Sequence, residues 1–324
     1  METKVAVLLG SLVLLSCGAE EPEILFRATP DLTISGEDPA FLFTPSGLQV
    51  DDAGRILILD REMRRVLVFD PDGGFAASFG KAGEGPGELS DLFFNFCVDP
   101  SGNSYLIDNS NVIEEFDSEG RFVRSMSLPW MNAFDVAATD SLIFVNCPSA
   151  FYESGQGVIV EIGRDGSLIH RFGEVRFDPA GMPPFLSIFH QSCPLDVDAD
   201  GNVYYTSIMD YALFKYSPDG TLVWRIDPES SPDPVLDGNT LVSPSVWDLC
   251  VDGGLVFVLW GRPDGPDGSR IDVFSCGTGE LLGMLRTGLP GGRSPMFFAM
   301  RNGSELYTAD PDIAAVYRLT LTRP

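Results

Sequence analysis

Positive charge is scarce in this chain. Lys and Arg number 21 against 47 Asp and Glu in 324 residues, for a formal charge of −26 and a pI near 4.2. Such a surface repels a phosphate backbone, which excludes duplex or single-stranded nucleic acid as a partner. Its overall charge also gives no reason for general docking on anionic lipid headgroups. Histidine is scarcer still, with only His170 and His190. There is no G-x-S-x-G elbow, no H-E-x-x-H pair, no Walker loop and no C-x-x-C pair, so the local signatures of serine hydrolases, zincins, P-loop enzymes, thioredoxins and zinc knuckles are missing. Gly83 to Gly87 does not open a helix after a strand and so does not read as a phosphate cradle. Beyond position 17 no run reaches the ~18 apolar residues that a spanning helix needs.

What is present begins with an export signal. Lys4 precedes an apolar run from Val5 to Leu15, too short to span a bilayer stably, and Ser16 and Cys17 follow directly. Leu14-Leu15-Ser16-Cys17-Gly18 resembles the bacterial lipobox. That resemblance implies removal of residues 1–16, acylation of Cys17, a linker over 17–28, and a folded region over 29–324 on a lipid tether. Gly18 is not the Asp associated with inner-membrane retention, so the expected address is the outer membrane of a bacterial envelope. The charge itself keeps the body soluble, and it is expected to be a monomer.

The remaining chain repeats. Gly47 to Asp60 (GLQVDDAGRILILD) aligns with Phe96 to Asp108 (FCVDPSGNSYLID) and with Leu195 to Ser207 (LDVDADGNVYYTS). Three divergent copies start at Phe134, Leu249 and Phe298. Each reads as an alternating strand, a Gly or Asp/Asn turn, and a returning strand rich in β-branched and aromatic residues. The D-x-D-x-D-G in the third copy looks like a calcium loop. However, Tyr204 and Tyr205 continue a strand and the twelfth position is Ser207 rather than Glu, so the stretch is read as a hairpin turn.

A second signature follows most copies: Phe69-Asp70-Pro71-Asp72-Gly73, Phe116-Asp117-Ser118-Glu119-Gly120, and Tyr216-Ser217-Pro218-Asp219-Gly220, with looser forms ending at Gly166 and Gly279. One unit is therefore four antiparallel strands, and six units over the mature chain give about 51 residues each, near the length of a propeller blade. The sixth unit stops after a third strand, Val316 to Leu321. Thr29 to Gly36 has the character of the missing outermost strand and would close the ring by pairing with the C-terminal blade. The expected fold is all-β: a six-bladed β-propeller of four antiparallel strands per blade, closed by strands from both termini.

These V-D-x-x-G and F-D-x-D-G patterns, with Phe79 to Leu89 (FGKAGEGPGEL) between the first two units, resemble the NHL-repeat six-bladed propellers, many of which are bacterial lipoproteins. The resemblance implies a fold rather than an activity, since propellers host unrelated chemistries. The regucalcin and gluconolactonase group holds a divalent ion through a Glu, two Asn-type ligands and an Asp, a set not matched here.

Two constellations stand out as candidate sites. Asp60, Asp108, Asn146, Ser207, Trp260 and Asp310 each end the second strand of a unit, where they could hold a polyol or a divalent cation around the channel, or accept hydrogen bonds from neighbouring loop backbone. Long insertions at 173–194, 227–244 and 261–270 build up one side of the same face, with Phe185, Phe189, His190, Trp260 and Arg262 as candidate pocket lining. Cys147 and Cys193 precede prolines at that face and could pair as a disulfide. Cys97 and Cys250, three units apart, read as small buried hydrophobes, and His170 reads as a strand residue. The expected function is a lipid-anchored envelope module that binds a protein or small ligand on its loop-rich face, with no cofactor. The alternative is a divalent-metal-dependent hydrolase or lyase.

Overall fold

The computed structural model describes residues 24–35, 40–90, 95–108, 111–130, 132–148, 157–174, 192–208, 211–227, 236–237, 240–241, 245–261, 269–286, 289, 295–310 and 313–323. Its strands form the six four-stranded blades that the repeat predicts, arranged as a six-bladed β-propeller. The N-terminal strand β1 (Ile24–Ile34) stands apart from the first blade, which is β2 (Pro45–Val50), β3 (Ile56–Asp60), β4 (Arg65–Phe69) and β5 (Phe75–Phe79). The second is β6 (Phe96–Val98), β7 (Ser104–Asp108), β8 (Val112–Phe116) and β9 (Phe122–Ser127), and the third is β10 (Asp135–Ala138), β11 (Leu142–Asn146), β12 (Ile159–Gly163) and β13 (Leu168–Phe172). The fourth is β14 (Leu195–Val197), β15 (Val203–Thr206), β16 (Leu213–Tyr216) and β17 (Leu222–Ile226). A small hairpin, β18 (Leu236–Asp237) with β19 (Thr240–Leu241), precedes the fifth blade, β20 (Ser245–Asp252), β21 (Leu255–Gly261), β22 (Ser269–Ser275) and β23 (Leu281–Arg286). The sixth contributes β24 (Phe298–Arg301), β25 (Glu305–Asp310) and β26 (Ala315–Thr322).

Second strands are apolar almost throughout because both faces of each blade are covered. In β3, Ile56, Ile58 and Leu59 have no exposed surface and Leu57 has 2%. Side chains alternate across a strand, so Leu57 and Leu59 enter the core shared with blade two, while Ile56 and Ile58 enter the core shared with blade six. The described residues contain an apolar cluster at every junction, each drawn from two neighbouring blades. Burying a side chain such as Phe144 or Phe257 at one of these seams contributes about 1.5–3 kcal/mol before ordering costs.

The recurrent turn residues have a local explanation. In the DVDADGN stretch, Gly201 takes φ +79° and donates its N–H to the Asp198 carbonyl at 2.9 Å. The Asp198 carboxylate accepts from the N–H groups of Asp200 and Asn202 at 3.0 and 2.9 Å, so the aspartate caps its own hairpin turn. Asp51 and Asp99 do the same for Arg55 N–H and Asn103 N–H.

Closure follows the expected pairing and extends it. Strand β1 runs antiparallel to β26 from Arg27↔Thr322 to Ile34↔Val316, supplying the fourth strand of blade six. It begins at Ile24, ahead of the expected boundary at residue 29, and its first residues pair in parallel with β23, Ile24 with Met284 and Arg27 with Arg286. One strand therefore joins blades five and six in a single eight-stranded sheet. Within blade six the Asp31 carboxylate pins β1 to β26 by accepting from Arg318 Nε at 2.9 Å and Thr320 Oγ1 at 2.8 Å.

Candidate functional site: the central channel

The six inner strands β2, β6, β10, β14, β20 and β24 surround a cavity of about 1640 Å³. It extends from the first hairpin turns, marked by Asp51, Asp99, Asp198 and Asp252, to where the inner strands begin, marked by Pro194, Ser245 and Met296. Lys215 and Arg301 are cationic groups of its lining. Lys215 Nζ lies 3.9 Å from Asp198, and Arg301 donates to Glu305 at 3.1 Å, which leaves the channel strongly acidic.

Three carboxylates on consecutive blades line its wall, Asp135 buried and Asp196 and Asp248 half-buried. Asp135 accepts at Oδ1 from Val136 N–H at 2.9 Å and from Asn95 Nδ2 at 2.6 Å, and at Oδ2 from Leu195 N–H at 2.9 Å. Asp196 accepts from Val197 N–H at 2.8 Å and from Val251 N–H at 2.7 Å, and the Cys250 thiol also bonds it. Asp248 accepts from Leu249 N–H and Phe298 N–H, both at 2.9 Å. In each case one oxygen takes the N–H of the following residue, while the other reaches the inner strand of the next blade. The carboxylates thus staple the third to fourth, fourth to fifth and fifth to sixth junctions. Asp252, accepting from Gly303 N–H, adds a second link at the last of these. Gln49 Nε2, donating to the Phe96 carbonyl at 3.3 Å, spans the first to second junction.

Burial raises the proton affinity of all three. Desolvation pushes Asp135 well above the usual carboxylate range, against its backbone hydrogen bonds and with added repulsion from Asp248 and Asp196. Desolvation likewise lifts Asp196 and Asp248 to about 7, with Asp252 and Asp196 respectively adding repulsion. Near neutral pH Asp196 and Asp248 therefore exchange protons and can both donate and accept hydrogen bonds.

The strand-end residues sit elsewhere, and none of Asp60, Asp108, Asn146, Ser207, Trp260 or Asp310 lines the channel. Asp60 has no exposed surface and accepts from Phe43 N–H and Thr44 N–H in the segment entering its blade, at 3.2 and 3.1 Å. Asp108 accepts from Ser90 N–H and Oγ at 3.0 and 2.7 Å. Asn146 accepts from Cys193 N–H at 3.0 Å and donates to the Val158 carbonyl at 3.3 Å. These residues satisfy link backbone that would otherwise be buried unpaired, the structural alternative weighed for them. Asp310 is buried, Ser207 half-buried, and Trp260 stacks on Tyr211 at 5.7 Å beneath the Arg270 guanidinium. Phe185, Phe189, His190 and Arg262 lie outside the described residues, as does Cys17.

The disulfide that Cys147 and Cys193 could have formed is absent; both are thiols. Cys147 packs in the core between blades two and three, whereas Cys193 packs in the core between blades three and four, so the sheet of blade three separates their side chains. Among the described residues, no group of three or more His, Cys, Asp or Glu is arranged to hold a metal ion. His170 is exposed on outer strand β13, against Phe172.

Sequence reasoning missed Asp135, Asp196 and Asp248, although their signal is visible: a charge inside the apolar first strand of three successive units. Phe134-Asp135-Val136, Leu195-Asp196-Val197 and Trp247-Asp248-Leu249 each carry one.

Residues 38–172 match a family model, DUF5128, described as a 6-bladed β-propeller. No curated protein matches the chain. Among solved structures, a candidate exported protein of Bacteroides fragilis is similar over 93% of this chain and 96% of its own, with a TM-score of 0.63 and 14% identity. A member of the DUF4221 family from Bacteroides vulgatus is similar over 93% and 99%, with a TM-score of 0.59 and 11% identity. A chain of a mitotic checkpoint complex also matches, over 99% of both chains at a TM-score of 0.57 and 12% identity. At these identities the likeness is one of fold, and the fold is the six-bladed β-propeller.

Proposed function

We propose that this chain is an exported binding module, held on the bacterial envelope by an acylated Cys17 and taking a small cationic or hydrogen-bond-donating ligand, such as an amine, into its central channel. The observation that carries the reading is the channel itself: about 1640 Å³, lined by the six inner strands, which set Asp135, Asp196 and Asp248 among apolar residues in its wall. Low-dielectric walls with one sign of charge concentrate a ligand of the opposite sign and strengthen each contact it makes. The signal-like segment at residues 5–15 and the lipobox-like LLSCG support export and anchoring, and the likeness to a candidate exported protein of Bacteroides fragilis is consistent with them. Gly18 after the cysteine favours the outer membrane.

Thermal unfolding in the presence of mono-, di- and polyamines, with neutral polyols and dicarboxylates as controls, tests the reading. An amine at a hundred times its Kd stabilises the folded state by about 2.7 kcal/mol. The stabilisation is expected to weaken at least tenfold in apparent affinity in Asp196→Asn and Asp248→Asn. Equal response to amines and dicarboxylates, or affinity unchanged by both substitutions, refutes the channel as the site.

A further inference from the structure

Basic residues are few in this protein, yet three arginines meet where the chain leaves for its anchor. Arg27 on β1 is in register with Arg286 on β23 on one side and with Thr322 on β26 on the other, and Arg323 follows Thr322 directly. All three arginines are exposed, and neither Arg27 nor Arg323 makes an ion pair among the described residues. Along the same strands Ile24, in register with Met284, is 43% exposed. Leu281 and Leu282, at the end of β23 away from Arg286, are exposed as are the equivalent outer-strand residues Val123, Ile169 and Val223 of other blades, so the arginines are what distinguish this seam. Exposed apolar side chains flanked by arginines form the kind of surface that settles at a lipid interface, with the apolar groups entering the headgroup boundary and the guanidiniums pairing with phosphates.

The geometry points to this seam between blades five and six as the surface on which the propeller rests against the bilayer that carries its lipid anchor, an anionic phospholipid surface. The inference rests on the acylation of Cys17 proposed above. Only residues 18–23 separate that cysteine from Ile24, so even a fully extended tether reaches about 25 Å. The acyl chains supply proximity, and the patch then selects which side of the body faces the membrane. Glu20, Glu21 and Glu23 of the tether oppose recruitment by charge alone, so the patch acts on a molecule already anchored. The same arrangement fixes the orientation of the channel, because β1 is hydrogen-bonded into both blades and cannot swivel about them.

The test uses the full acylated chain reconstituted in vesicles of phosphatidylethanolamine and phosphatidylglycerol, with phosphatidylcholine vesicles for comparison. A benzoylphenylalanine photocrosslinker replaces Leu282 in one chain and Phe122, an exposed residue of β9 in blade two, in another. The expected result is lipid crosslinking at 282 at least fivefold above that at 122 in the phosphatidylglycerol vesicles. The excess should fall in phosphatidylcholine and vanish in Arg27→Glu/Arg323→Glu, whose unfolding midpoint in solution should match that of the parent. Equal crosslinking at the two positions, or an excess indifferent to charge reversal, overturns the docking surface while leaving the anchor intact. Capture of a protein rather than lipid at 282 in intact cells also overturns it. A chain that does not float with vesicles, or a Cys17→Ser chain that floats as well as the parent, overturns the anchor and this inference together.

Discussion

Raising the pH from about 4 to 7 should weaken this protein from the inside. Asp248 titrates in the folded state at about 7, against 3.8 in an unperturbed chain, because burial disfavours its charge more than two backbone N–H groups favour it. Between about pH 4 and pH 7 the folded protein keeps a proton that the unfolded chain has released, so unfolding releases protons and stability falls as pH rises across that window. A difference of about three pH units sets an upper limit of about 4 kcal/mol. Contact with channel water and coupling to Asp196 bring the expected loss to about 1–2 kcal/mol per carboxyl. The substitution Asp248→Asn preserves shape and can still accept from Phe298 N–H, but its amide cannot accept from Leu249 N–H, at a cost of about 1 kcal/mol. Urea unfolding at pH 5, 6.5 and 8 measures the balance. The parent should be the more stable at pH 5 by about 1 kcal/mol, and the two should level or invert by pH 8. Comparing parent with variant cancels the general self-repulsion of a chain at −26, which also grows with pH. A parent-minus-variant difference that stays constant across the three pH values refutes the raised titration of Asp248.

Other perturbations bear on the fold that holds the channel. Gly120 has φ +76°, and a Cβ there would stand 2.8 Å from Phe79, so Gly120→Ala should cost about 2 kcal/mol in equilibrium unfolding, whereas an ordinary surface substitution lies within about 0.5 kcal/mol. Arg164 reaches from blade three to the fully buried side chain of Asp99 in blade two, at 2.5 Å, and lies over the Tyr105 ring. Arg164→Ala should therefore cost about 2–3 kcal/mol, measured the same way, and Arg164→Lys should recover less than half of it. All five described cysteines are thiols in the structure, so a reducing agent should leave the unfolding midpoint unchanged, and alkylation of the denatured, unreduced protein should modify every one of them.

The blade count could be read from the sequence because repetition imposes the same physical demand six times. An Asp that caps its own turn and a Gly that supplies positive φ recur in blades one, two and four, at Asp51 and Gly54, Asp99 and Gly102, and Asp198 and Gly201, and a second strand buried on both faces recurs in every blade. Closure was legible in part. The alternation in Thr29 to Ile34 announces a strand, but nothing in a linear sequence ties Ile24 to Met284, because that parallel pairing depends on where two distant blades come to lie. The same limit explains the two sulfurs. Cys147 and Cys193 are placed at one face by the repeat, yet a strand sends successive side chains to opposite sides, and a sheet of blade three stands between them.

The strand-end carboxylates misdirect the eye for a related reason. A polar residue repeated from unit to unit answers a need those units share, and at Asp60, Asp108 and Asn146 that need is to pair the buried backbone of the links, as Asp60 does for Phe43 and Thr44. A residue that breaks the repeat carries different information. Carboxylates appear in the first strands of blades three, four and five at Asp135, Asp196 and Asp248, while the corresponding stretch of blade six, Phe297 to Met300, is apolar. Each is burdened by desolvation that an apolar side chain would not incur. Blade six shows that an inner strand can be built without such a charge. On the other three the carboxylates staple neighbouring blades, as the uncharged Gln49 does between blades one and two, so it is their charge rather than their hydrogen bonding that blade-building does not require, and that charge lies in the channel.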